Sequence, residues 1–63
     1  MPIAHIQLLQ GREPALKAVL IKSVTAAIVE SLKVKPESVR VILEEIHPAH
    51  WGIGGVSAEE LKR

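Results

Sequence analysis

Apolar and polar residues alternate at the start of the chain. Between Ile3 and Leu9, Ala4, Ile6 and Leu8 fall on one side of an extended segment, and His5 and Gln7 on the other. A period of two with β-branched content predicts a strand over Ile3 to Leu9. Gly11 interrupts the pattern, Arg12 and Glu13 continue as a loop, and Pro14 stands where a helix has no use for an N–H. From Pro14 to about Lys33 the period becomes three and four, with Leu16, Leu20, Val24, Ala27, Ile28 and Leu32 forming one stripe. That spacing predicts a single long amphipathic helix. Val19, Ala26 and Val29 lie outside the stripe among Lys22, Glu30 and Lys33, so the outward face is only partly polar and reads as a contact to another subunit.

Pro36 stops the helix, because the residue before a proline avoids helical geometry. Val39 to Ile46 is rich in β-branched residues and predicts a second strand, with Arg40, Ile42, Glu44 and Ile46 on one side. Strand, helix and strand make a β-α-β unit with parallel strands and a right-handed crossover. The fold class is therefore α/β (α+β), in one domain over residues 1–63. Two strands and one helix cannot close a core, so dimers sharing a four-stranded sheet, with both helices on one face, are expected. His47-Pro48-Ala49-His50 reads as a turn, and the glycines of Trp51 to Val56 predict a small C-terminal hairpin. Ser57-Ala58-Glu59-Glu60 resembles a capping box that starts a short helix from Ala58 to Arg63.

Composition sharpens the case for self-association. A 63-residue chain hides only about 60% of its unfolded surface by itself, yet 48% of these residues are hydrophobic. With no cysteine, disulfides and thiolate metal sites are excluded and a reducing compartment is implied. No apolar run approaches the ~20 residues of a membrane span, and the first ten residues lack the basic leader of a signal peptide. A cytoplasmic protein is expected. Eight Lys and Arg against seven Asp and Glu, with a single aromatic residue, argue against nucleic-acid binding.

The candidate chemistry begins at Pro2. If Met1 is removed, as is usual before a small residue, Pro2 carries a free secondary amine. Such amines titrate near ~7.7–8.0, and cationic neighbours or burial lower that value towards the operating pH of a general base. A retained Met1 would leave the nitrogen an amide without basicity. Arg12 and Arg40 are permanent cations able to grip a carboxylate in a two-point fork. Parallel strands place the end of one far from the start of the next, so Arg12 and Arg40 of one chain should not converge, and a shared site requires Arg40 from a neighbouring subunit. Trp51 is either an interface anchor or a wall of an apolar pocket.

Other motifs carry less. His47 and His50 have a zinc-like spacing, but Pro48 disfavours a helix and no third ligand is evident, so no metal site is assigned. His5 reads as a hydrogen-bonded or interfacial residue. Gly52, Gly54 and Gly55 lack the Lys and Ser/Thr of a phosphate loop. Glu44 and Glu45 are adjacent on a strand, point to opposite faces and cannot act as a pair.

Met1-Pro2-Ile3-Ala4, Gly11-Arg12, Ser38-Val39-Arg40-Val41-Ile42 and Trp51-Gly52-Ile53-Gly54-Gly55 together resemble the 4-oxalocrotonate tautomerase family, amino-terminal proline enzymes of the tautomerase superfamily. The resemblance covers nearly the whole chain. It implies a β-α-β protomer, dimers sharing a sheet and a homohexamer built as a trimer of dimers. It further implies an isomerase of aromatic hydrocarbon catabolism that converts 2-hydroxymuconate, a dienol, to 2-oxo-3-hexenedioate without metal or organic cofactor. Pro2 is then the general base and Arg12 pairs with the distal carboxylate. Arg40 of a neighbouring subunit binds the keto end, and Trp51, where the family usually has phenylalanine, lines the pocket. Glu13-Pro14-Ala15 departs from the family's more polar helix start. Two alternatives stand beside this reading. Relatives dehalogenate small unsaturated acids by adding water, although Trp51 to Val56 offers no acidic residue to activate it. A non-catalytic subunit of an oligomer is the other.

Overall fold

A computed structural model describes residues 1–63. Strand β1 (Ile3–Leu9) leads through a loop into helix α1 (Pro14–Leu32), which carries the chain back to strand β2 (Arg40–Ile46). The two strands are parallel, pairing Ile3 with Arg40, His5 with Ile42, Gln7 with Glu44 and Leu9 with Ile46. This is the expected β-α-β unit. Beyond it, strands β3 (Gly52–Ile53) and β4 (Val56–Ser57) form a small antiparallel hairpin, followed by the one-turn helix α2 (Ala58–Leu61). Gly54 and Gly55 turn the hairpin at φ 59° and 89°, a left-handed pair that suits the twist of the flanking strands and favours glycine.

The ends of α1 follow from local chemistry. Pro14 occupies its first position, and Glu13 before it offers no side-chain cap. At the other end Lys33 adopts a left-handed conformation (φ 57°, ψ 44°), and its N–H donates to the Val29 carbonyl at 2.9 Å. Pro36–Ser38 then form a turn of 3-10 helix closed by the Val39 N–H on the Pro36 carbonyl. Val39 therefore belongs to that turn and β2 starts at Arg40, one residue later than its β-branched run predicts.

Helix α1 packs chiefly over β2. Leu20, Val24 and Ile28 are partly covered, as their stripe predicts, but Leu16, Ala27 and Leu32 of the same stripe are exposed. Val29, expected to face outward, is partly covered instead. A two-stranded sheet is only about 10 Å wide, so it covers a narrow strip of the helix surface and leaves the rest of the apolar stripe bare. Ile46 ends β2 beside Leu9 and is partly covered, whereas Arg40, Ile42 and Glu44, on the same side of the strand, are exposed. The terminal helix stops at Leu61, where Lys62 takes a left-handed conformation, rather than continuing to Arg63.

Only Val39, at 8% exposure, and Ala58, at 0%, are buried, while Ile3 at 65% and Ile42 at 49% stand open on the sheet. The chain measures 43 × 23 × 13 Å, an elongated slab without a closed interior. One ion pair fastens the helix to the sheet, Lys17 Nζ lying 2.8 Å from Glu45 Oε1. Glu44 turns to the opposite face, as strand alternation requires. No helix is long and apolar enough to cross a membrane.

Candidate active site

Pro2 stands immediately before β1 and is partly covered. Its carbonyl accepts a hydrogen bond from the Arg40 backbone N–H at 3.0 Å. The parallel register dictates this contact: with Ile3 opposite Arg40, the residue preceding β1 meets the first amide of β2. The Arg40 side chain turns back on its own turn, Nη1 donating to the Glu37 carbonyl at 2.7 Å and the Val39 carbonyl at 3.3 Å. Backbone, not guanidinium, ties Arg40 to Pro2, and the side chain stays exposed with donors to spare. Sequence reasoning assigns Arg40 to a neighbouring subunit's site. The structure adds that Arg40 of the same chain is bonded to the backbone of Pro2.

Arg12 lies at the other end. It follows β1 by three residues, exposed, with Nη1 donating weakly to the Leu9 carbonyl at 3.4 Å. Six steps of ~3.3 Å separate Ile3 from Leu9, so Pro2 with Arg40 and the loop of Arg12 stand roughly 20 Å apart along the sheet. Arg12 and Arg40 of one chain do not converge, as strand direction requires. Trp51 comes five residues after the C-terminal end of β2, which is the Arg12 end. The four candidates therefore divide between opposite ends of the strands, Pro2 and Arg40 where the strands begin, Arg12 and Trp51 in the segments that follow their ends, and no pocket opens into the single chain.

Trp51 is partly covered and held from both sides. Before it, Pro48–His50 form a turn of 3-10 helix whose N-cap is His47, and the ring Nδ1 of His47 accepts the Ala49 N–H at 3.0 Å. The Trp51 N–H donates to the Pro48 carbonyl at 3.3 Å, and its carbonyl accepts the N–H of fully buried Ala58 at 2.7 Å. Ser57 Oγ in turn accepts the Glu60 N–H at 3.2 Å and caps α2, which is half of the expected capping box. These supports behind Trp51 are what sequence reasoning passes over. A histidine directly before a proline that opens a turn is the signal that points to them.

On the open face of the sheet, Glu44 Oε1 lies 3.0 Å from His5 Nε2 and accepts from Gln7 Nε2 at 3.1 Å. The Gln7 hydrogen bond, with attraction and hydrogen bonding from His5 adding to it and partial desolvation opposing, holds the Glu44 carboxyl below its ordinary value. His5 is thus hydrogen-bonded, one of the two roles that the sequence suggests. The His47 and His50 rings lie 5.7 Å apart, and no group of three or more His, Cys, Asp or Glu side chains is placed to share a metal ion.

A parallel β-α-β unit with a short C-terminal hairpin is the frame on which these residues stand. A model of the tautomerase enzyme family matches residues 2–61. The 2-hydroxymuconate tautomerase of Stutzerimonas stutzeri is 48% identical over 63 residues, and that of Comamonas testosteroni 43%, each match covering 100% of both chains. Among solved structures, TomN, a 4-oxalocrotonate tautomerase homologue of the tomaymycin biosynthetic pathway, superposes with a TM-score of 0.93 at 43% identity, covering 97% of this chain and 94% of that one. A heterohexamer 4-oxalocrotonate tautomerase from Chloroflexus aurantiacus superposes with a TM-score of 0.91 at 38% identity, over 97% and 98%. The chain belongs to the tautomerase family. It is an isomerase.

Proposed function

We propose that this tautomerase uses the amine of Pro2, freed by loss of Met1, to isomerise 2-hydroxymuconate or a similar unsaturated keto acid. In that reaction the amine removes the proton of the 2-hydroxyl group and the C2 carbonyl forms. The C2–C3 double bond moves to C3–C4, electrons from C4–C5 pass to C5, and the proton is returned there to give 2-oxo-3-hexenedioate. Atoms and charge balance without an external reagent. The observation that carries the reading is the Arg40 N–H on the Pro2 carbonyl at 3.0 Å, which fixes the position of the terminus at the start of the parallel strands. Full-length identity to relatives named 2-hydroxymuconate tautomerases supports the choice of substrate.

The separation of Pro2 and Arg40 from Arg12 and Trp51 favours a site assembled from several copies. A dianion spanning two fixed cations needs both within its own length, and one chain holds them at opposite ends of its strands. Self-association as a homohexamer, three dimers that each share a four-stranded sheet, would bring those ends together from different chains and give Ile3 and Ile42, exposed in the single chain, a surface to pack against. In that assembly Arg12 takes the distal carboxylate, Arg40 from a neighbour takes the keto end, and Trp51 excludes water, which strengthens both charge interactions. Residues 1–63 act as one domain, in the cytoplasm, on a small dicarboxylate.

Ketonisation of 2-hydroxymuconate followed by ultraviolet absorbance tests the reading, with mass spectrometry to establish that Met1 is absent. Turnover is expected, together with sedimentation near six times the 6.9 kDa protomer. Pro2→Ala is expected to lose most of the rate while sedimenting like the parent. Absence of turnover in Met1-free protein, or parent-like rates in Pro2→Ala, overturns the mechanism.

A further inference from the structure

We infer that His47 is a proton-controlled positioning residue for Trp51: the neutral ring caps the turn that presents Trp51, and the protonated ring releases it and pairs with Glu59. The inference rests on the proposed role of Trp51 as a wall of the active site. Its physical basis is one atom with two partners. Nδ1 of His47 accepts the Ala49 N–H at 3.0 Å, which requires a lone pair there and places the proton of the neutral ring on Nε2. The same Nδ1 lies 4.0 Å from Glu59 Oε2 on α2. A proton on Nδ1 turns the acceptor into a donor. It then faces another donor at Ala49, while the Glu59 carboxylate becomes an oppositely charged acceptor within a short side-chain rotation.

Both alternatives act on Trp51 through short hydrogen-bonded paths. The capped turn reaches it by way of the His50 N–H on the His47 carbonyl at 2.8 Å and the Trp51 N–H on the Pro48 carbonyl. Helix α2, which carries Glu59, begins at buried Ala58, whose N–H holds the Trp51 carbonyl. A shift of His47 from one partner to the other exchanges a bond within the turn for a tie between the turn and α2. The tryptophan between them has to respond.

The surrounding charges leave this exchange to His47 and Glu59. His50, in the same turn, tilts its ring 50° from that of His47 and adds like charge only when it is itself protonated. Strand β4 contributes no titratable group. Of the other charges at the C-terminus, Glu60, Lys62 and Arg63 form no ion pair, and Glu45, two residues before His47, is engaged by Lys17. His47 and Glu59 are both at least half exposed, so protons reach them freely. Histidine is the side chain whose charge ordinarily changes between about pH 5 and 8.

The chain contains one tryptophan, so its emission reports Trp51 directly. Fluorescence of the intact, Met1-free protein followed from pH 8 to pH 5 is expected to show a one-proton transition. In His47→Asn, whose Oδ1 takes the place of Nδ1 and accepts from Ala49 at every pH, the high-pH emission should persist throughout. Glu59→Gln removes the negative charge that pairs with the protonated ring and should move the transition to lower pH, and His50→Gln should retain it. In parallel, KM for 2-hydroxymuconate should rise with the same midpoint in the parent and stay flat in His47→Asn. No transition in the parent, or one that persists in His47→Asn, overturns the inference, as does a Glu59→Gln midpoint that fails to move. A transition lost in His47→Asn while KM never follows it upholds the control of Trp51 and removes Trp51 from the substrate pocket.

Discussion

Replacing Arg40 with alanine separates two roles that its position combines. The backbone N–H of residue 40 holds the Pro2 carbonyl at 3.0 Å, and alanine keeps that bond. What disappears is the guanidinium, with its contacts to the Glu37 and Val39 carbonyls. Those contacts are on an exposed side chain, and a hydrogen bond of this kind contributes about 1 kcal/mol net. Loss of about that amount should lower the melting temperature by no more than ~4–8 °C in a domain of this size. Catalysis should suffer more. Removing one donor that stabilises developing charge costs on the order of 10²–10³ in rate, or ~2.7–4 kcal/mol. The expected signature is therefore a fall of at least ~10² in kcat/KM in a protein that melts and sediments nearly like the parent. Arg40→Lys, which keeps charge but loses the planar fork, should recover only part of it. The assays are ultraviolet-monitored ketonisation, thermal melting by circular dichroism and sedimentation velocity. A loss below threefold, or one accompanied by dissociation, would refute the assignment of the guanidinium to substrate.

Two further predictions concern the scaffold. Lys33 closes α1 at φ 57° with an exposed side chain, and a residue with a Cβ in that conformation carries a penalty of roughly 1–2 kcal/mol that glycine escapes. Lys33→Gly should raise the urea midpoint accordingly, whereas an unchanged or lowered midpoint would contradict the cap. Glu44, held below its ordinary value of 4.5 chiefly by Gln7, adds stability that is complete above that value and is lost as pH falls through the lower one. In an NMR titration the Glu44 carboxyl should respond below the ordinary range, and Gln7→Ala should bring it back towards 4.5; a response that ignores the substitution would assign the shift elsewhere.

Much of the β-α-β unit is legible in the chain because its causes are local. A period of two from Ile3 to Leu9, a period of three and four after Pro14, and the stops at Gly11 and Pro36 depend on neighbours only a few residues away. Chain direction follows as well: a helix between two strands makes them parallel, so Arg12 and Arg40 of one protomer had to lie at opposite ends of the strands. Pairing across the sheet is another matter. That Arg40 meets Pro2, and that Glu44 meets His5 and Gln7, depends on a register between residues nearly forty apart, which periodicity leaves free. Periodicity likewise assigns a stripe to α1 without its width. The narrow sheet covers Val29 and leaves Leu16 and Leu32 open, because burial depends on where the facing surface ends. The cap of His47 on Ala49, poised 4.0 Å from Glu59, comes from folding α2 back on the turn before Trp51. Local sequence determined the elements and their order; only tertiary contact decided which side chains became neighbours, since proximity across the fold is set by packing and register rather than by spacing along the chain.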